Sequence, residues 1–267
     1  MPTAIRRGTA VLLALLSLAP VATYAQAPSA VPAASDSSTR LPGGAPIRWW
    51  HVAVATGGVF LASAADNAFH DLAQNHNTQT DRDIATAVQH FGSGVVPAAI
   101  PAAMIGVGLI AHNPRLTRSG LRVGGSLAVG AVITEVLKEA VGRARPYQGP
   151  AVTGFKPFSG RASMPSGHTM AAFALATSLS DEIHRGWATA GLYTLAVGTG
   201  ASRIVNNAHW FSDVVAGAII GTTSAKLVNG KWRLFRITPP RILVGPDELG
   251  LQWSLGPRRA SSASVQP

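Results

Sequence analysis

The chain has 267 residues, enough for one sizeable core, and 22 Lys and Arg against 12 Asp and Glu give it a formal charge of +10. It has no cysteine, which excludes disulfides and zinc–thiolate centres and leaves stability to core packing. The basic balance suits anionic partners such as phosphate esters and anionic lipid surfaces. The basic residues are too scattered, with too few interleaved aromatics, for a nucleic-acid surface.

Taken from the N-terminus, Arg6 and Arg7 form a positive start, Val11 to Val21 an apolar run, and Thr23 to Ala25 a small-x-small site. That pattern predicts a signal peptide over 1–25, because the apolar run is short for a membrane-spanning helix. Its removal takes two arginines and no acids, leaving 20 basic against 12 acidic residues, formally +8. Residues 26–45 are rich in Pro, Ala and Ser and read as a disordered linker. From Ile47 to Val228 the sequence runs in long Ala, Gly, Val and Leu blocks, with few stretches of period-two alternation. These blocks exceed strand length, so the expected fold is all-α, a bundle of about six main helices filling a domain over 46–230. The candidate helices are 47–66, 80–111 with a break near Pro97 and Pro101, 117–142, 166–183, 186–204 and 209–229. In the tail, 231–267, Pro239-Pro240 and Gly245-Pro246-Asp247 separate short alternating runs and predict a small β-hairpin.

The uncharged run 91–111 is long enough to cross a membrane, whereas about twelve residues separate His168 from Asp181, Arg122 from Glu135, and Asp213 from Lys226. Runs that short suit buried core helices better than spans of roughly 20 residues. Six spans after a cleaved leader would also put the loop 138–165 in the cytoplasm. Arg115, Arg118, Arg122, Arg185, Lys231 and Arg233 favour the opposite arrangement. The first expectation is therefore an exported periplasmic domain, soluble or membrane-associated, and the second an integral inner-membrane protein.

Three segments stand out from the apolar background. Lys138 and Arg145 are seven residues apart, two helical turns, so they share a face, and Pro146 ends the helix. Met164-Pro165-Ser166-Gly167-His168-Thr169 opens a helix whose first N–H groups can bind an anion, with Gly167 admitting close approach and His168 placed to reach a leaving oxygen. In the third segment Asp213 follows His209 by four residues. A carboxylate there can accept one imidazole N–H, fix the tautomer and leave the other nitrogen free to attack. Arg203 offers a planar fork for phosphate oxygens. Each segment alone reads more readily as a solvated basic helix end, an ordinary N-cap, or a surface His–Asp pair. Asp81-Arg82-Asp83 does not follow an apolar strand and is rejected as a carboxylate-nucleophile motif. His51, His70, His76, His90, His112 and His184 lack such neighbours and receive no role.

Together the pattern Lys-x6-Arg-Pro, Pro-Ser-Gly-His, Ser-Arg-x5-His-x3-Asp resembles the type 2 phosphatidic acid phosphatase family, related to vanadium haloperoxidases and bacterial class A acid phosphatases. The resemblance covers roughly 120–230. It implies a metal-independent phosphatase without cofactor, hydrolysing phosphate monoesters or lipid (pyro)phosphates through a phosphohistidine. Lys138, Arg145, Arg203, Ser166 and the Gly167 amide would hold the phosphoryl oxygens. His209 would attack phosphorus, Asp213 would orient it, and His168 would protonate the leaving oxygen and then activate water. A vanadate-dependent haloperoxidase and a non-catalytic lipid-binding relative are the alternatives. The substrate and the oligomeric state are open. The three motifs should converge at one end of the bundle, with His168 and His209 facing each other across an anion-sized gap.

Overall fold

The computed structural model describes residues 44–75, 77–149 and 154–234, and the backbone of 241–244 and 249–252. The leader expected over 1–25 lies outside the described residues, as does the linker expected over 26–45 except for its last two positions. Of these, Ala45 begins strand β1 (Ala45–Ile47), which pairs in parallel with β2 (Trp232–Leu234). The helices are α1 (Trp49–Ser63), α2 (Asp66–Gln74), α3 (Gln79–Gln89), α4 (Val95–Ile110), α5 (Pro114–Val141), α6 (Gly167–Ile183), α7 (Gly186–Val205) and α8 (Phe211–Val228). The fold is all-α, and β3 (Arg241–Val244) pairs antiparallel with β4 (Leu249–Gln252) in the expected hairpin.

Helix ends follow local chemistry. Asn113 caps α5 by accepting from the Arg115 and Leu116 amides, with Pro114 at the first helical position, where its missing N–H costs nothing. Gly142, at φ 58°, closes the same helix in the left-handed region. Thr78 and Asp81 cap α3 reciprocally, which gives the rejected Asp-Arg-Asp stretch a structural task.

Two expected helices divide differently. The single helix over 47–66 becomes α1 and α2, bent by 48° at Ala64–Ala65; the polar stretch 66–74 gave too little apolar signal to be seen as a second helix. In 80–111 the break falls at His90–Gly94, through a 3₁₀ turn at His90–Gly92, and not at the prolines. Pro97 lies in the first turn of α4, where amides are unpaired anyway, and Pro101 is buried close to Gly124. The chain turns instead where Gly92 meets the backbone of His168; a side chain there would collide with that carbonyl and with Thr199.

α6 is the central helix, packed against α5, α7 and α8. Small residues let the backbones approach: a Cβ on Gly217 would stand 2.5 Å from the Ser166 carbonyl oxygen, and one on Gly130 2.5 Å from the Met170 sulfur. Phe69 of α2 stacks on Phe211 of α8 at 4.1 Å between ring centres, against buried Ala73, Ala201 and Ile204. α5 and α7 end, and α6 and α8 begin, at one end of the bundle. The other end is fixed by Arg122 to Glu182 at 3.1 Å and Lys226 to Asp181 at 2.7 Å.

The outer faces are apolar. Val54, Phe60, Val107, Ile110, Val132 and Val136 are more than half exposed. Among the described residues three segments, Gln79–Ile110, Pro114–Val141 and Phe211–Val228, are long and apolar enough to cross a membrane, or four if α1 and α2 form one bent span. By length and composition these segments favour membrane association. Charges such as Arg122 and Lys226 cut the apolar runs short in sequence, but they are paired near one end of the bundle and leave the central faces uninterrupted.

Candidate active site

The residues singled out in the sequence come together at the end of the bundle where α6 and α8 begin. The cationic side is built from α5 and the chain beyond it. Lys138, in the last turn of α5, is held by Glu135 at 2.7 Å, and its ammonium lies 3.6 Å from where a Cβ on Gly167 would stand. Any side chain at 167 would therefore enter the space between the ammonium and the α6 N-terminus. Arg145 follows the left-handed turn at Gly142, fixed by its amide donating to Gln148 Oε1 at 2.9 Å. Arg203, in the last turn of α7, is 9% exposed, and its guanidinium donates to Gln89 Oε1 at the end of α3. A neutral amide holds this arginine without cancelling its charge.

Ser166 is the N-cap of α6 and fully buried; its hydroxyl accepts from Thr169, and its amide donates to the Asp213 backbone carbonyl. The first amides of α6 therefore open toward Lys138, with the positive end of the helix behind them. His168, in that first turn, has its pKa lowered from 6.5 to about 4. Burial is the largest cause, followed by the charges of Arg203, His209, Arg145 and Lys138. The four groups acting on one imidazole place the three motifs around a common space.

His209 is 3% exposed in the turn between α7 and α8. The amides of Ala208 and His209 both donate to the Arg203 carbonyl, at 2.9 and 3.2 Å, which wraps this turn around the end of α7. Its Nδ1 lies 2.7 Å from the Ser163 carbonyl. A carbonyl can only accept, so Nδ1 carries the proton and Nε2 keeps its lone pair. Asp213 Oδ2 stands farther off, 3.6 Å from Nδ1, an ion-pair distance. That oxygen accepts from Ser163 Oγ at 2.6 Å and the Trp210 amide at 3.0 Å. Asp213 orients His209 indirectly, by fixing the Ser163 segment whose carbonyl holds the ring. Burial pushes the His209 pKa down, the Asp213 charge opposes this, and Arg203 and Arg145 add to the depression.

Four side chains escaped the sequence reading. Arg143, 1% exposed, donates at 2.7 Å to Asp213 Oδ1, to Asp66 Oδ2 and to Ser212 Oγ. Asp66 and Ser163, both fully buried, and Gln89 complete the surround. Arg143 lies inside the Lys-x6-Arg stretch, but nothing in sequence separates a buried arginine from a solvated one at a helix end. His70, given no role, lies 3.0 Å from Asn207 Oδ1 and helps hold the turn before His209.

The model of the PAP2 superfamily matches residues 119–235, a stretch that contains all three motifs. The segment that carries the site is of the PAP2 superfamily. A lipid A 1-phosphatase of Porphyromonas gingivalis is 49% identical over 72 residues, 26% of this chain and 16% of that protein. One of Rhizobium etli is 35% identical over 103 residues, 36% of this chain and 43% of that protein. The chain thus spans less than half the length of these curated relatives. The crystal structure of a transmembrane PAP2-type phosphatidylglycerolphosphate phosphatase from Bacillus subtilis superposes with a TM-score of 0.54 at 24% identity, over 67% of this chain and 94% of that one. The likeness is one of fold.

Proposed function

We propose that the chain is a membrane-associated, metal-independent phosphatase acting on lipid phosphates, with the phosphate at the head of a lipid A-like acceptor as the first substrate to test. The observation that carries this reading is the gathering of Lys138, Arg145, Arg203 and the α6 N-terminus around two histidines, at the end of a bundle with apolar outer faces. Phosphoryl transfer needs positioning and charge neutralisation above all, and three fixed cations can supply both. The names of the curated relatives support a lipid substrate.

In the proposed reaction the phosphoryl oxygens lie among Lys138, Arg145, Arg203 and the Gly167 amide. The His209 Nε2 lone pair forms an N–P bond as the P–O bond to the leaving alcohol breaks, and that oxygen takes a proton from His168. His168, now neutral, removes a proton from water, whose oxygen attacks phosphorus and breaks the N–P bond. Inorganic phosphate leaves and both histidines return to their starting states. Asp213 and the Ser163 carbonyl hold the His209 ring throughout.

The site end faces the periplasm in this reading. Arg115, Arg118, Arg122, Arg185, Lys231 and Arg233 collect at the opposite end, which the positive-inside rule assigns to the cytoplasm. Residue 45 then lies on the cytoplasmic side, the reverse of what a leader cleaved after Ala25 gives, and protease protection of residues 26–45 in sealed vesicles distinguishes the two. The activity test is hydrolysis of phosphorylated lipids and of soluble monoesters by the reconstituted chain, with acid-labile phosphoenzyme trapping. No turnover of either class, or a phosphoenzyme that survives His209→Ala, would overturn the reading.

A further inference from the structure

We propose that Asp66 is a positioning residue for the nucleophile, acting through Arg143 and Asp213; this rests on the phosphohistidine reading above. Asp66 opens α2, 147 positions before Asp213, and is fully buried. Its Oδ1 accepts from the Ser212 amide at 2.7 Å, and its Oδ2 from Ser212 Oγ at 2.8 Å and Arg143 at 2.7 Å. Arg143 reaches Asp213 Oδ1 with its other arm, also at 2.7 Å. One guanidinium thus lies between two carboxylates, and these three side chains carry a net charge of −1.

Helix packing does not require this arrangement. Burying three charges is costly, and well-packed apolar residues of similar volume would hold α2 against α8 as firmly. The surplus negative charge has a use at His209. When Nε2 bonds to phosphorus the imidazole becomes cationic, and the nearest counter-charge is Asp213 Oδ2, 3.6 Å from Nδ1. If Arg143 faced Asp213 alone, its positive charge would largely cancel that carboxylate. Asp66 draws half of the guanidinium away and leaves Asp213 effective. The other charged groups acting on His209, Arg203 and Arg145, oppose its cation, and His168 and Lys138 belong to the same positive surround. Asp66 also pins the first turn of α8 through the Ser212 amide, and so fixes where Asp213 stands.

The test compares Asp66→Asn with Asp66→Glu in the full chain reconstituted in lipid. For Asp66→Asn, kcat should fall about 10–100-fold, the loss typical of removing an outer-shell partner of a functional histidine, while KM stays nearly constant. The acid limb of the kcat profile reports His209 becoming neutral, and it should move to lower pH because the cation has lost support. Asp66→Glu keeps the charge and should keep the limb in place even where kcat falls. An unmoved limb in Asp66→Asn, or a loss confined to KM, overturns the proposal. Where Asp66→Asn does not fold, Asp66→Glu carries the test, and a displaced limb overturns it. The titration of His209 followed by nitrogen NMR on labelled imidazole gives the same answer without turnover. If the wild-type chain hydrolyses no phosphate ester, the phosphatase reading fails, and the NMR shift still decides the role of Asp66.

Discussion

His168 offers a direct measure of whether the three cations converge on an anion. Its pKa is lowered to about 4, chiefly by burial and then by Arg203, His209, Arg145 and Lys138. A phosphate placed among those cations opposes the charge contribution but not the burial. At about 4 Å and an effective dielectric near 20, one anionic charge is worth about 4 kcal/mol to an imidazolium, which outweighs the depression before screening. The ring is partly exposed, so solvent and salt reduce that figure. Restoring the value from about 4 to 6.5 would raise proton affinity about 300-fold. The sign is fixed by linkage. The group's pKa is higher with anion bound, so binding takes up a proton. Affinity therefore grows as pH falls below the bound value, levels off near 4, and gains nothing above the ordinary histidine range. The assay is competitive inhibition by inorganic phosphate across pH 4–8, wild type against His168→Ala in the same buffers, so that the ionisation of phosphate itself cancels in the ratio. The wild type should tighten about 10–100-fold more than the variant from pH 8 to pH 5. Parallel curves would show that His168 does not face the bound phosphate, and would refute the assignment of these cations to one site.

Gln89→Glu would turn the neutral partner of Arg203 into a competing carboxylate; phosphate inhibition should weaken about tenfold or more, the scale of a charge-assisted bond, while Gln89→Ala weakens it less. His168→Ala should slow hydrolysis of alkyl phosphates about 10²–10⁴-fold, the usual contribution of a general acid, and that of nitrophenyl phosphate far less, since nitrophenolate leaves without a proton; equal losses would remove the general-acid role. Lys138, Arg145 and Arg203 supply the charge that a metal ion supplies in other phosphoryl transfers, so turnover should persist in EDTA, and activity lost on chelation and restored by a divalent ion would contradict the mechanism. Gly217→Ala sets a methyl against the Ser166 carbonyl at 2.5 Å and should lower stability by about 1–3 kcal/mol, the cost of overpacking a tight contact. Thermal denaturation in detergent measures this, and an unchanged midpoint would mean that α6 and α8 are not so closely packed.

The sequence by itself determined the helical class and the motif residues. Long Ala, Gly, Val and Leu blocks can bury their surface only as helices, and the spacings of Lys138, Arg145, His168, Arg203 and His209 are local chemistry that survives without coordinates. Partnership was decided only in three dimensions. The i,i+4 spacing of His209 and Asp213 suggests a hydrogen bond, and the fold sets the Ser163 carbonyl closer to Nδ1 than the Asp213 carboxylate. Arg143 reads as one more basic residue at a helix end until α2 and α8 close over it with Asp66 and Asp213. Membrane association depends on which apolar residues remain outside after the small-residue faces of α5, α6 and α8 have packed. Hydropathy along a chain sums both sides of a helix, and only tertiary packing tells the buried side from the one left to the lipid.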